Sequence, residues 1–251
     1  MNKRPERERG RRWKAALAAL LLLAAAPLPA SAQSAAPAPS PAPTNVSIAL
    51  VLAVDCSFSV SNDRFELQKR GYAAAFRDPQ VVSAIRSLGT RSIAVTMFQW
   101  TGPSLHVVVA DWTLIKDQAS ASAFADRLAA VPRRLFRGGT SISGAVDYSR
   151  ALLAQSPFKG ARRIIDVSGD GSNNSGRPAR MARDEAVADG ISINGLPILT
   201  VEPGLDHYYH DNVIGGPGAF MIPVASYDNF AGAVLRKLIN EIAGVEPDAG
   251  Q

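Results

Sequence analysis

The strongest constraint on the fold is a nearly unbroken apolar segment from Val46 to Val54, in which Ser47 is the only polar residue. A strand with one face in water alternates apolar and polar residues, whereas a strand covered on both faces is apolar throughout. The segment therefore predicts a strand inside a sheet that has helices on both sides. The apolar run stops at Asp55, where we expect the strand to end.

The rest of the chain alternates between β-rich segments and segments whose apolar residues recur at helical spacing. We predict further strands at 92–100, 105–112, 163–168, 191–199 and 219–224. We predict helices at 118–131, 141–155, 177–188 and 227–243, and another after the capping residues at 61–63. Gly102-Pro103-Ser104 joins two of the strands and indicates an antiparallel hairpin at a sheet edge. The predicted fold is α/β, a doubly wound, mostly parallel sheet with one antiparallel edge strand and helices on both faces.

The first 44 residues differ in composition from the rest of the chain. Seven Lys and Arg residues precede a short apolar run and then Ala30-Ser31-Ala32, which is typical of a cleavable secretory signal peptide over residues 1–32. The apolar run is too short for a stable membrane span, although an uncleaved anchor is the alternative. Residues 33–44 are nearly all Ala, Pro, Ser and Gln, as in an extended linker. We therefore predict a periplasmic or secreted protein with one domain at 45–243 and a C-terminal tail at 244–251.

Charge and cysteine content narrow the range of functions. The formal net charge of the whole chain is +5, but removal of residues 1–32 leaves 20 basic and 20 acidic residues. The excess of basic residues therefore belongs to the predicted signal peptide, and we expect no nucleic-acid partner. Cys56 is the only cysteine, so the chain has no internal disulfide, and we interpret this residue as a small buried side chain.

Three oxygen-bearing side chains follow the first predicted strand directly, in the segment Asp55-Cys56-Ser57-Phe58-Ser59. In an extended segment, residues two positions apart face the same side. Asp55, Ser57 and Ser59 can therefore converge at the carboxyl edge of the sheet, where ligands bind in folds of this type. We expect Cys56 and Phe58 to pack elsewhere.

Two later segments reach the same edge of the predicted sheet. Thr140 follows a glycine pair and precedes a predicted helix, and Asp170 lies between two glycines after a short predicted strand. Carboxylate and hydroxyl oxygens are hard ligands that suit Mg²⁺ and similar cations. A site with so few anionic groups attracts an incoming carboxylate to an open coordination position. In the alternative interpretation, these residues are only caps and turn residues.

This order of residues resembles the von Willebrand factor type A superfamily, whose metal-ion-dependent adhesion site is written D-x-S-x-S, then Thr, then Asp. The resemblance covers about residues 45–243 and implies a doubly wound fold that binds Mg²⁺, or Mn²⁺ or Ca²⁺ in its place. The segment from Asp166 to Asn174 is also similar to a largely uncharacterised, exported bacterial branch of the superfamily. Gly169 stands where relatives usually have Thr before the acid, so one supporting hydroxyl is missing. The metal ligands that the resemblance implies are Asp55, Ser57, Ser59, Thr140 and Asp170.

The predicted function is an exported binding module in which an Asp or Glu of a protein partner completes the coordination of the metal. We expect a binding protein rather than an enzyme, because no nucleotide-binding loop and no G-x-S-x-G elbow occur in the sequence. The alternative is a metal-dependent hydrolase of the cell envelope, with a base supplied by Asp166, His207 or His210. A structural envelope protein that has lost its metal is a third possibility. The segment 206–211, interpreted as a loop, is a candidate for partner contacts.

Overall fold

The structure is a computed structural model that describes residues 42–244 of the 251. The strands are β1 Thr44–Asp55, β2 Ile93–Trp100, β3 His106–Ile115, β4 Phe158–Gly169 and β5 Ser192–Pro197. The helices are α1 Asn62–Arg77, α2 Pro79–Ser87, α3 Gln118–Ala130, α4 Ile142–Ala154, α5 Ala179–Ala188, α6 Leu205–Asn212 and α7 Phe230–Ala243. The predicted signal peptide, most of the predicted linker and most of the predicted tail lie outside the described residues.

The strands form one sheet in the order β3-β2-β1-β4-β5. β1 lies in the centre and pairs in parallel with β2 and β4, while β3 runs antiparallel at one edge. β5 continues the parallel part of the sheet on the other side. The predicted doubly wound sheet with one antiparallel edge strand is therefore confirmed.

Helices cover both faces of the sheet, which explains why β1 is almost entirely apolar from Val46 to Val54. Ile48, Leu50 and Leu52 face a core that includes side chains of α1, α2, α3 and α7. Ala49 and Val51 point the other way, into a core that includes side chains of α4, α5 and α6. Successive residues of a strand face opposite sides, so every residue of this strand except those at its start is withdrawn from water.

Two helices differ from the sequence predictions. α2 was not predicted as a separate helix; Asp78 caps it, because its carboxylate accepts a hydrogen bond of 2.8 Å from the backbone N–H of Gln80, and Pro79 occupies the first turn. The segment 206–211, predicted as a loop, forms most of α6. The buried face of this helix consists of only Leu205 and Tyr209, which are four residues apart and both fully buried.

The prediction of a strand at 219–224 is wrong. This segment makes only isolated β-bridges to the region of β5, at Met221 and Val224. Pro223 lies between them and has no backbone N–H to give to a ladder, which prevents continuous pairing.

The strand register brings distant segments together at the carboxyl edge of the sheet. Asp55, the last residue of β1, pairs with Trp100 of β2, and Val54 pairs with Ser168 of β4. The residues after Ser168 therefore begin beside Asp55. Among the helices within residues 42–244, none has the length and apolar character needed to cross a membrane.

Candidate metal centre

The turn after β1 holds the first three predicted ligands close together. The backbone N–H of Ser57 donates to Oδ1 of Asp55 at 2.7 Å, and the hydroxyl oxygens of Ser57 and Ser59 lie 3.2 Å apart. Asp55 and Ser57 are buried, whereas Ser59 is half-buried. Cys56 points into the core, and Phe58 projects into solvent with 80% of its surface exposed. The predicted alternation of side chains along this segment is therefore present, with Phe58 in solvent rather than packed.

Asp170 joins this turn through both of its carboxylate oxygens. The Ser59 hydroxyl donates to Oδ1, and the Tyr227 hydroxyl donates to Oδ2 at 2.9 Å. The Arg64 guanidinium lies 3.4 Å from Oδ2 and also donates to the carbonyl oxygen of Ser59 at 2.7 Å. Asp170 is fully buried, so these contacts fix the carboxylate against the turn that begins at Asp55.

Thr140 approaches from the loop that leads into α4. The backbone N–H of Phe58 donates to the carbonyl oxygen of Gly138 at 3.3 Å, which fastens this loop to the turn after β1. Gly138 has φ +129°, a conformation that favours glycine. The Thr140 hydroxyl lies 3.6 Å from the position that a Cβ atom would take on Gly171, the neighbour of Asp170. All five predicted ligands therefore lie at one corner of the sheet edge.

The electrostatics of this corner favour a bound cation. Oδ2 of Asp55 is buried and has no hydrogen-bond partner among the described residues. Burial, followed by the nearby Asp170 carboxylate, raises the pKa of Asp55 from 3.8 to about 7 in the metal-free protein. Two buried carboxylates, of which Asp55 has an oxygen without a partner among the described residues, and three hydroxyl groups are a donor set that fits a hard divalent ion. The residues present therefore fit the metal that the resemblance implies.

Gly169 makes room for a tyrosine that sequence reasoning did not assign to the site. A Cβ atom at Gly169 would lie 3.0 Å from the Tyr209 hydroxyl and 3.1 Å from Oδ2 of Asp55. Tyr209 comes from α6 and is fully buried, and its hydroxyl has no partner within the described residues. The absence of a side chain at Gly169 therefore lets the Tyr209 hydroxyl approach the carboxylate of Asp55.

Other residues missed by sequence reasoning support the site from outside. Arg64 and Tyr227 hold Asp170, and Glu202 accepts a hydrogen bond of 2.7 Å from the backbone N–H of Ser172. These residues are 30 to 106 positions away from their partners, so no local pattern connects them. Only the D-x-S-x-S spacing and the two glycine-flanked ligands carry a local signal.

The candidate bases of the hydrolase alternative lie elsewhere. Asp166 is a buried residue of β4, and its carboxylate lies 2.6 Å from the ammonium group of Lys237. The same ammonium group lies 2.9 Å from the carboxylate of Glu241. His207 and His210 are exposed on α6, and Nδ1 of His210 lies 2.9 Å from the Asp211 carboxylate. No hydrogen bond or salt bridge within residues 42–244 links these three groups to the five predicted ligands.

Comparison with solved structures identifies the fold. The chain is similar to a von Willebrand factor type A protein from Catenulispora acidiphila, with a TM-score of 0.53, 18% identity, and coverage of 79% of this chain and 42% of that one. It is also similar to the pilus adhesin SpaC from Lactobacillus rhamnosus GG, with a TM-score of 0.54, 15% identity, and coverage of 79% and 31%. A third similar structure is proximal thread matrix protein 1 from the mussel byssus with a zinc-occupied MIDAS motif, with a TM-score of 0.50, 13% identity, and coverage of 80% and 49%.

The chain spans less than half the length of each of these three solved chains, and the low identities mean that they show the fold alone. A search of curated protein sequences gave no match. A family model with the description "Protein of unknown function (DUF1194)" matches residues 45–246, which is most of the chain. The chain therefore belongs to the DUF1194 family, and its domain has the von Willebrand factor type A fold.

Proposed function

We propose that this protein is an exported binding module that holds one divalent cation at the carboxyl edge of its sheet and uses it to bind a carboxylate of a partner protein. The ion is Mg²⁺ or a similar cation such as Mn²⁺ or Ca²⁺. The buried, unpartnered Oδ2 of Asp55 carries the proposal, because a buried carboxylate oxygen without a hydrogen bond is costly unless a cation balances it. The proposed ligands, direct or through water, are Asp55, Ser57, Ser59, Thr140 and Asp170.

The composition of the donor set explains why the ion would bind a partner. Only two of the five proposed donors are anionic, and the other three are neutral hydroxyls that donate little electron density to the ion. The ion therefore retains an attraction for a further anionic oxygen at an open coordination position. The solved structure of the mussel protein with a zinc-occupied motif and the similarity to a pilus adhesin support this proposal.

Metal binding is tested first, without any partner. We expect Mn²⁺ titration, followed by electron paramagnetic resonance, to show one bound ion per chain. The Asp55→Asn variant should lose most of this Mn²⁺ binding, because one of the two anionic ligands is removed. Asp166→Asn is the matched control, since Asp166 is an equally buried carboxylate that pairs with Lys237 instead. Equal Mn²⁺ affinity in the wild type and in Asp55→Asn would refute the assignment.

Partner binding and export require separate experiments. In a pull-down from an envelope extract, we expect partners that are retained with Mg²⁺ and released by EDTA. Export predicts that the protein in the periplasm or medium lacks residues 1–32, which N-terminal sequencing of the fractionated protein would detect. A protein that stays in the cytoplasm with Met1 present would contradict the export proposal.

A further inference from the structure

We propose that the metal face selects a particular kind of partner segment: one that carries a large apolar side chain and a second acidic residue beside the carboxylate that reaches the metal. This inference rests on the proposed function and specifies the partner. It depends on one side of the site, which we call the Phe–Arg rim and define as Phe58, Arg133, Arg134, Phe136 and Arg137.

The rim exposes two phenylalanines next to the proposed ligands. Phe58 is 80% exposed and Phe136 is 57% exposed, the highest values among the exposed large apolar side chains within residues 42–244. Phe58 lies between two proposed ligands in sequence. Its backbone is bonded to Gly138, two residues from Phe136, so both rings belong to the same corner of the protein. Exposed aromatic side chains beside a polar site are characteristic of protein-binding surfaces.

Part of the rim is held in place by contacts within the domain. The Arg133 guanidinium donates to the carbonyl oxygen of Cys56 at 3.4 Å and to the side chain of Asn62 at 3.0 Å, and it lies 5.2 Å from the centre of the Phe136 ring. The buried side chain of Gln99 accepts a hydrogen bond of 2.7 Å from the backbone N–H of Arg134. These contacts reduce the conformational entropy that this part of the rim loses on binding, which favours affinity.

The charge of the rim selects acidic partners. No acidic residue occurs between Asp126 and Asp147 in the sequence, whereas three arginines of the rim do. Within residues 42–244, no salt bridge involves Arg133, Arg134 or Arg137. Arg134 and Arg137 are exposed to solvent, so their positive charges remain available to a partner.

A negative charge also lies beside the site. Glu202 lies next to Gly171, with Oε2 3.8 Å from the position that a Cβ atom would take there. Its carboxylate repels an acidic residue that approaches it. An acidic segment whose carboxylate binds the metal is attracted by the rim, where the phenylalanines accept an apolar side chain and the arginines accept a second carboxylate.

Synthetic peptides provide the probe, because the natural partner is unidentified. Three fluorescent peptide sets share a central Glu: the first adds Phe and further Asp or Glu, the second replaces Phe by Ser, and the third replaces the outer acids by Lys. Binding to the purified exported protein, which lacks residues 1–32, is measured by fluorescence anisotropy with Mg²⁺ or EDTA. We expect the first set to bind about tenfold more tightly than the others in Mg²⁺, with weaker binding as salt rises from about 50 to about 300 mM.

Variants connect the preference to the rim. We expect Phe58→Ser/Phe136→Ser to remove the preference for the first set over the second, and Arg134→Glu/Arg137→Glu to remove the preference over the third. Met181→Ser and Arg180→Glu are the matched controls on α5, where both side chains are exposed, and they should change neither preference. Mn²⁺ affinity is measured for every variant, so that a loss of peptide preference can be distinguished from a loss of metal binding.

The outcomes separate this inference from the proposed function. Metal-dependent binding with equal affinity for the three sets would refute selection by the rim and leave the metal-dependent function intact. Binding of the first set that survives EDTA would overturn the metal-dependent function. The absence of binding to any set, in a protein that still binds Mn²⁺, would overturn the rim.

Discussion

Replacement of Asp55 by Asn should stabilise the metal-free protein and remove the further stabilisation that the wild type gains from bound metal. In the metal-free protein, Asp55 and Asp170 are two buried carboxylates that repel each other, and Oδ2 of Asp55 has no partner among the described residues. Asn keeps the shape of the side chain and keeps an oxygen to accept the hydrogen bond from Ser57. The variant therefore removes the repulsion without creating a cavity.

The size of the effect follows from the pKa of Asp55. A rise from 3.8 to about 7 corresponds to roughly 4 kcal/mol against the ionised form in the folded protein. Because the folded-state pKa lies above that of the unfolded chain, this cost is absent below about pH 4 and complete above about pH 7. In EDTA at pH 8, Asp55→Asn should therefore be more stable than the wild type by up to roughly 4 kcal/mol. With Mg²⁺ at about 100 times its Kd, the wild type gains about 2.7 kcal/mol, which raises its Tm by about 5–11 °C.

Differential scanning fluorimetry at pH 5 and pH 8, in EDTA and in Mg²⁺, tests both effects. Asp166→Asn is the control, and it should keep the full Mg²⁺-dependent rise in Tm because Asp166 lies outside the proposed site. The reasoning is refuted if Asp55→Asn shows the same rise with Mg²⁺ as the wild type. A lower Tm for Asp55→Asn than for the wild type in EDTA at pH 8 would refute the electrostatic part.

The remaining predictions concern the residues that support the site and the core. Tyr209→Phe should weaken Mn²⁺ binding by about tenfold in a titration, because it removes a hydroxyl beside a proposed ligand, and should leave the Tm in EDTA nearly unchanged. Gly169→Thr should cost about 1–3 kcal/mol in urea unfolding, because its Cβ atom would lie 3.0 Å from the Tyr209 hydroxyl. The double variant Gly169→Thr/Tyr209→Phe should recover at least half of that loss, and no recovery would show that the crowding lies elsewhere. Lys237→Met should cost about 3–5 kcal/mol in urea at pH 8, because it leaves Asp166 and Glu241 buried without a cation. This cost should fall at pH 5, where the raised pKa of Asp166, caused mainly by burial, lets it bind a proton, and an equal cost at both pH values would contradict it.

The sheet could be predicted from the sequence because its strands carry strong local patterns. The apolar run that forms β1 indicates burial on both faces, and the hairpin between β2 and β3 contains a turn with Gly and Pro. The helix α6 could not be predicted in this way, since only Leu205 and Tyr209 show its buried face. The wrong strand at 219–224 has apolar residues but lacks continuous pairing because Pro223 interrupts it. These differences arise where a segment depends on tertiary contacts rather than on its own pattern.

Some residues of the candidate site could likewise be predicted from the sequence, and others could not. Asp55, Ser57 and Ser59 could be predicted because strand geometry places alternate residues on one side. The position of the Tyr209 hydroxyl beside Gly169 could not, because Tyr209 is 40 residues away in sequence.

The direction of β1 also determines how the domain presents its binding face. β1 has 12 residues and spans about 40 Å from Thr44 to Asp55. The other end of the described domain, Gly244, lies beside Arg162, which pairs with Ile48 in the first half of β1. Both ends of the described domain are thus at the pole opposite the proposed metal site. Immobilisation on a bead or sensor surface through a tag joined directly to either end of this domain should leave the proposed metal face open to molecules in solution.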